Sequence, residues 1–505
     1  MKKIKILSAV LMSLLALAII PVFAGNVSAA SSVAINEKNF PDKVFRAYVK
    51  EKFDSNKDNK LSSKEISNAQ EIVIWKDIDG HVKSLKGVEF FTELTTLQIH
   101  DCDLKTVDIS KNTKLESFVC HNCKLSKLDV RKNTALLDLD VLDNELTSLD
   151  VSKNTGLLSL WCQYNKLTKL DVTKNKQLVD LECYGNQLTS LDLTKNVNLK
   201  GLYCECNYLQ SLDLTKNTKL LSLHCQSNLL TTLNISKIEN LDLAEWAGQA
   251  KDFNLIVGSG QTFRSREECA FKSLSPDVFT VTKEDKKDYV VWHFAAKKAG
   301  ASVVKDEIDS TIAKVTVLYK DVTNPGDFWF EPTNYLTENG VVKGYDNQTK
   351  FKPANECSRG QMLTFMWRLS GSPKPKSKTN PFTDIKSSDY FYKPVLWAVE
   401  NGITTGTSKT TFGPDKVCNR AQTVTFLWRM AGKPEPKSTK AKFTDVKTTD
   451  YFFKATLWAS EKKILAGYSD GTFKPKDNCL RRQMVTFLYK YDMYVNEKGN
   501  TGPKI

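Results

Sequence analysis

The chain has 505 residues, of which 41% are hydrophobic, and a formal net charge of +14. That length calls for several domains, and that apolar share excludes wholesale disorder. Ten of the twelve cysteines recur in phase with repeats rather than in pairs, and only Cys206 and Cys269 lie outside a repeated slot, so a disulfide framework is not expected.

At the N-terminus Lys2, Lys3 and Lys5 precede an apolar run from Ile6 to about Ala24, followed by Val27, Ser28, Ala29 and Ala30. This is the layout of a secretory signal peptide over residues 1–30, cleaved after Ala29 or Ala30. No later run is long enough to span a bilayer, so no transmembrane segment is expected after cleavage.

Residues 31–80 predict a helical cap. Within FDSNKDNKLSSKE, Asp54, Asn56 and Asp58 stand at positions 1, 3 and 5, the Lys60 carbonyl at 7, Ser62 at 9 and Glu65 at 12. That is EF-hand spacing, and hard oxygen ligands in that order point to calcium as a cofactor. Asn59 replaces the usual glycine, and asparagine tolerates the left-handed backbone. The competing reading is a metal-free cap on the domain that follows.

From about residue 81 to 243 a 21-residue period takes over, with LDV, LDV, LDL and LDL at Leu149, Leu170, Leu191 and Leu212. A fixed period means one small unit stacked on itself. Each copy obeys L-x-x-L-x-L-x-x-N-x-L, here Leu157, Leu160, Cys162, Asn165 and Leu167, and so resembles a leucine-rich repeat; an α/β solenoid is expected. Strand alternation sends Leu160 and Cys162 inward and Trp161 and Gln163 outward. The inward column holds Ile99, Cys120, Val141, Cys162, Cys183, Cys204 and Cys225, small apolar groups that resemble the cysteine ladder of internalin J-type repeats. Asn144, Asn165, Asn186, Asn207 and Asn228 recur in phase and are expected to bond backbone left unpaired by the turns.

The outward columns carry Trp161, Tyr164, Tyr184 and Tyr203 beside Asp138, Asp140, Asp180, Glu182 and Glu205, while lysines gather on the turns. Exposed aromatics flanked by acids predict a partner-binding face for an unknown protein or glycan ligand. His100 and His121 share a column but lack a third ligand for zinc.

Residues 244–321 are rich in valine, tyrosine and phenylalanine between charged turns and predict a small Ig-like β-sandwich acting as a spacer. Glu267 and Glu268 are adjacent acids there, but no catalytic order of residues stands out, so the chain does not read as an enzyme.

In the last third a second repeat appears, with a period of 61 residues. FTDIKSSDYFYKPVLWAVENGITTG at Phe382 aligns with FTDVKTTDYFFKATLWASEKKILAG at Phe443, and ECSRGQMLTFMWRL, VCNRAQTVTFLWRM and NCLRRQMVTFLYKY keep the phase. Copies are expected at 322–380, 381–441 and 442–494, the first lacking the FTD opening, with a flexible tail at 495–505. The segments resemble S-layer homology (SLH) domains, an α-helical three-copy module that binds an anionic secondary cell wall polymer. The resemblance implies that Arg359, Arg420 and Arg481 hold the polymer near grooves between copies; a guanidinium at a helix start suits a carboxylate. Its T-R-A-E segment departs here: the acid is Gln361, Gln422 or Gln483, and the threonine reads as cysteine. Trp397 and Trp458, like Trp367 and Trp428, fall in phase and read as core.

The basicity belongs to this third: residues 322–505 hold 29 basic and 17 acidic side chains, +12, against a net of −1 for 31–321. Charge alone fits nucleic acid, but export makes an anionic wall polymer the expected partner and no nucleic acid. The whole reads as a wall-anchored, adhesin-like surface protein; the alternative is a structural S-layer component without a dedicated ligand.

Overall fold

The computed structural model describes residues 32–75, 81–267, 269–306, 310–377 and 379–497. The signal segment, Glu268 and the tail from residue 498 lie outside them. Among the described residues no helix is long and apolar enough to cross a membrane.

The cap opens with β1 (Val33–Ala34), α1 (Lys43–Phe53), β2 (Lys60–Leu61) and α2 (Ser63–Asn68). Asp42 caps α1 by accepting from the Val44 and Phe45 N–H groups, and its other oxygen accepts from Lys83 N, tying cap to solenoid. Phe40, Phe45, Phe53, Phe90 and Phe91 close the apolar end of the stack. β3 (Glu71–Trp75) then begins the sheet.

Seven strands follow at repeat spacing: β4 (Thr96–His100), β5 (Ser117–His121), β6 (Asp138–Asp140), β7 (Ser159–Trp161), β8 (Asp180–Glu182), β9 (Gly201–Tyr203) and β10 (Ser222–His224). All pair in parallel, each residue opposite the one in the same phase. The α/β expectation needs correcting here. Between β3 and β10 the described residues hold one short 3-10 turn, Val88–Phe90, and no α-helix. Twenty-one residues leave room for a strand and two turns, not for an opposing helix.

Every ladder cysteine is buried, and all twelve cysteines carry free thiols. Asn165 shows the work of its column: Nδ2 donates to Val141 O and Cys162 O at 2.9 and 3.1 Å, and Oδ1 accepts from Leu146 N. A second buried column, Asn112, Asn133, Asn154, Asn175, Asn196 and Asn217, stitches the opposite turn. Asn175 Nδ2, for example, donates to Val151 O and Asn154 O. Its signal was the recurrent Lys-Asn pair, which the lysine had claimed.

The spacer is not a separate sandwich. Its strands are β11 (Thr232–Asn234), β12 (Leu243–Glu245), β13 (Asn254–Gly258), β14 (Thr262–Ser265), β15 (Lys272–Ser273), β16 (Phe279–Asp285), β17 (Val290–Ala296), β18 (Gly300–Lys305) and β19 (Thr311–Leu318). β12, β14, β17 and β16 extend the solenoid sheet to twelve strands, and a five-stranded sheet, β11-β13-β19-β18-β15, starts inside the repeats. Glutamines continue the asparagine columns: Gln249 Nε2 donates to Cys225 O, and Gln261 Nε2 to Ile235 O and Ile238 O. Trp246 ends the cysteine ladder, packed by Phe253, Phe271 and Phe294. The last rung is therefore sealed by continuation, not by docking.

The C-terminal ring contains α3 (Phe330–Glu338), α4 (Arg359–Leu369), α5 (Tyr392–Glu400), α6 (Arg420–Met430), α7 (Phe453–Glu461) and α8 (Arg481–Glu497). α4 packs on α5, α6 on α7, and α8 returns to α3, where Tyr335 Oη donates to Asp492 and Tyr489 Oη to Glu331. At the centre Cys418 N donates to Cys357 O, Cys479 N to Cys418 O, and Cys357 N to Cys479 O, each at 2.9 Å. Three copies thus close a ring around one axis.

The first copy does have an opening. Asp384 accepts from Phe412 N and Gly413 N, and Asp445 from Phe473 N and Lys474 N; Asp321 accepts from Phe351 N and Lys352 N in the same way. Tyr319 lies 5.7 Å from Phe351, as Phe382 lies 5.8 Å from Phe412. The opening is Tyr319-Lys320-Asp321, two residues out of phase, so the first copy starts before residue 322 and directly after β19. Ala299 N donates to Gln348 O and Ser259 Oγ to Thr349 O across this junction. Trp397 and Trp458 are core.

Candidate functional site

The polymer arginines lie between copies, but buried. Arg359 and Arg420 are 3% exposed and Arg481 1%. Each crosses to the next copy: Arg359 Nε donates to Phe412 O, Arg420 Nε to Phe473 O, and Arg481 Nε to Phe351 O with Nη2 to Lys343 O. Each guanidinium also lies over aromatic rings, Arg481 over Tyr345, Phe351 and Phe365 at 4.5–5.5 Å. Burial pulls the Arg359 pKa down. The helix starts are spent too: Arg481 N donates to Asn355 O and Arg482 N to Pro353 O. Ring closure engages the Nε of each arginine and leaves the buried Arg359 Nη2 without a partner, so these guanidiniums are spent first on joining the copies.

The cap residues also differ from the expected alignment. Ser358 and Asn419 occupy the helix-cap position, Leu480 its third equivalent, and the cysteines precede them on the axis. The glutamines complete the caps: Gln361 Oε1 accepts from Ser358 N, and Gln422 and Gln483 do likewise. The neutral amide also donates, Gln361 Nε2 to Tyr345 Oη at 2.9 Å.

One inter-copy groove holds a cavity of about 250 Å³ lined by Lys343, Tyr345, Gln361, Arg368, Tyr390 and Arg481 among others. Tyr390 is exposed and belongs to the second copy, Arg481 to the third, and the rest to the first. Three copies therefore build a small basic, aromatic-walled recess. The sequence signal missed for it was Arg368, in phase with Arg429.

The solenoid face is assembled as expected in register but not everywhere in exposure. Tyr164 is 56% exposed and meets Tyr184 edge-on at 5.0 Å, and Tyr203 stacks on His224. Trp161 Nε1 donates to Asp180 at 3.1 Å. Asp140 is buried and paired with His121, so it supports the face rather than presenting itself. Glu182 and Glu205 are half-buried. Burial and the neighbouring Asp180, Asp140 and Glu205 charges push Glu182 up to about 7. His100 stacks on Trp75 and meets His121 edge-on.

The loop at Asp54–Glu65 is closed by hydrogen bonds among its own side chains and backbone. Asp54 accepts from Asp58 N and Asn59 N, Asn56 from Asp58 N, Asp58 from Lys60 N, and Asn59 sits at φ +59°. Lys60 pairs with Ala34 in β1. Glu65, however, accepts four hydrogen bonds, from N and Oγ of Ser55 and of Ser62, which hold its pKa down at about 2. Among the described residues no three acidic, histidine or cysteine side chains converge as a metal cluster.

Residues 318–363, 381–424 and 442–485 match the S-layer homology domain. The chain is 30% identical to the S-layer protein sap of Bacillus anthracis over 36% of its length and 22% of that protein. It is 28% identical to a cellulosome-anchoring protein of Acetivibrio thermocellus over 29% of its length and 34% of that protein. An endoglucanase of a Bacillus species shares 33% identity over 24% of this chain and 13% of the enzyme. The chain thus spans about a third or less of the length of these relatives. Among solved structures, a functional domain of InlJ from Listeria monocytogenes that includes a cysteine ladder aligns with 58% of this chain and 99% of its own, at 18% identity and TM-score 0.26. Internalin C2 from the same species aligns at 19% identity and TM-score 0.31, over 46% and 90%. The chain thus carries, after its solenoid of 21-residue repeats, three segments that match S-layer homology domains, and it is a cell-surface protein.

Proposed function

We propose that the ring attaches the chain to the wall by holding an anionic group of a secondary cell wall polymer, and that the solenoid face is displayed to bind a protein or glycan. The observation that supports attachment is the recess where three copies meet. Arg368 and Lys343 supply positive charge at its mouth, Tyr345 and Tyr390 supply sugar-stacking walls, and Arg481 makes its floor cationic. Arg359, Arg420 and Arg481 act first as the bolts of the ring. We read the chain as non-enzymatic.

Retention of the full chain on purified sacculi tests attachment. The Arg368→Ala, Tyr390→Ala double variant is expected to elute at lower salt, with roughly tenfold weaker retention. Equal retention by the variant, or on sacculi stripped of polymer, would overturn the reading.

Calcium is proposed at the cap as a weak ligand, because the Ser55 and Ser62 hydroxyls must turn away before Glu65 can take a cation. Calorimetric titration of the full chain checks this: Ser55→Ala is expected to bind calcium more tightly than wild type. Weaker binding by that variant would overturn the competition from Ser55, and no heat with either protein would assign the loop to a metal-free cap.

A further inference from the structure

Attachment does not use the charge pattern of the open sheet face. One outward column reads Asp140, Trp161, Glu182, Tyr203, His224 and Glu245, one residue per rung in parallel register. Asp138 and Asp180 stand beside it on one side and Glu205 on the other. Among the described residues, the only ion pairs found for this acidic group are those of Asp140 with His121 and Glu245 with His224. The repeat lysines stay on the turns, exposed and away from these carboxylates. Burial first, and mutual repulsion after it, raises Asp138 and Glu182, and burial raises Asp180 and Glu205.

A second observation concerns acceptors. Gln163 is 3% exposed; its Nε2 donates to Glu182, and its Oε1 has no hydrogen-bond partner. Glu205 Oε2 and Gln226 Oε1 are buried acceptors without partners as well. A buried acceptor left unpaired is destabilising, so this face is short of donors as well as of positive charge. Trp161 and Tyr203 flank Glu182 in the same column, where an aromatic face attracts a cation. Five steps of about 4.8 Å between the six rungs give a strip of roughly 24 Å, the reach of about seven extended residues.

We propose that this face binds an extended polypeptide segment rich in lysine or arginine. Such a segment supplies both what the carboxylates lack and what the orphan acceptors lack. The inference rests on the reading of this face as a recognition surface, and it names the partner's chemistry.

The test uses the full chain and three probes: an unstructured ten-residue peptide rich in lysine and arginine, its glutamate-substituted counterpart, and a glucosamine oligomer. The basic peptide is expected to bind, the acidic one not, and affinity to fall with salt. The Asp180→Asn, Glu182→Gln double variant is expected to bind the basic peptide roughly tenfold more weakly, whereas Lys174→Gln on a turn changes nothing. Thermal unfolding confirms that the double variant is folded. Equal binding of both peptides, or undiminished binding by the double variant, would overturn the inference. Binding of the glucosamine oligomer alone, abolished by Trp161→Ala, would overturn the partner class while leaving the recognition face standing. Binding of none of the three would overturn the inference and remove the support it lends to that face.

Discussion

The two repeat arrays use the same residue in opposite ways. In the solenoid, repetition is a translation: Cys162, Cys183, Cys204 and Cys225 line up along an axis, and each rung hands its unpaired groups to the next. A translation never closes, so both ends need sealing, by the phenylalanine cap at one and by Trp246 and the extra strands at the other. In the ring, repetition is a rotation: Cys357, Cys418 and Cys479 meet around one axis, and the third copy hands its groups back to the first. No end remains to be capped, but every copy depends on two others. Surface recognition suits the first geometry, and a recess built from three copies requires the second.

That contrast can be broken most sharply at the bolts. Arg481→Ala removes two donors from buried carbonyls and empties a stack of three rings, so the ring is expected to lose about 3–5 kcal/mol. Arg359→Ala removes a single carbonyl bond and is expected to cost less. Denaturant unfolding of the full chain, followed through tryptophan fluorescence, should show both losses in the transition of the C-terminal ring and leave the solenoid's transition in place. Equal losses, or loss in both transitions, would mean that closure is not what these arginines secure.

Smaller effects should separate the two cysteine settings. Cys204→Ser places a hydroxyl among leucines and is expected to cost about 1–3 kcal/mol. Cys418→Ser is expected to cost less, because Thr423 Oγ1, 3.4 Å from Cys418 Sγ, can accept from the new hydroxyl or donate to it. The same denaturant experiment reads both.

The smallest effect belongs to the open face. Glu182 titrates near 7 in the folded chain and near its ordinary 4.5 when unfolded, so the folded state binds the proton more tightly. Its penalty is absent near pH 4, grows as pH rises through that interval, and is complete above 7. Glu182→Gln should therefore leave the melting temperature unchanged at pH 4 and raise it at pH 8, by about 1–2 kcal/mol of stability after allowance for partial exposure. A loss at pH 8 would show that the carboxylate is paired rather than stranded.

Local reading was sound wherever phase alone decides. The cysteine ladder, the first asparagine column and the core positions of Trp397 and Trp458 follow from period, since neighbouring copies repeat the same environment, whereas Trp367 and Trp428 are only partly buried. It faltered wherever two elements compete for one group. The Lys-Asn pair concealed an asparagine column because lysine announces a surface turn. Tyr319 was missed because a strand runs straight into the first copy and shifts its opening by two residues. Asp140 looked exposed until His121, one rung back, took its carboxylate.

The sequence by itself determined that there are two arrays, their periods of 21 and 61 residues, and which side of each strand is apolar. Only the tertiary structure decided where the arginine donors go, because Arg481 meets the Lys343 carbonyl across 138 residues of chain. Hydrogen bonding between distant segments is settled by ring closure, and no local pattern encodes which donors that closure will use.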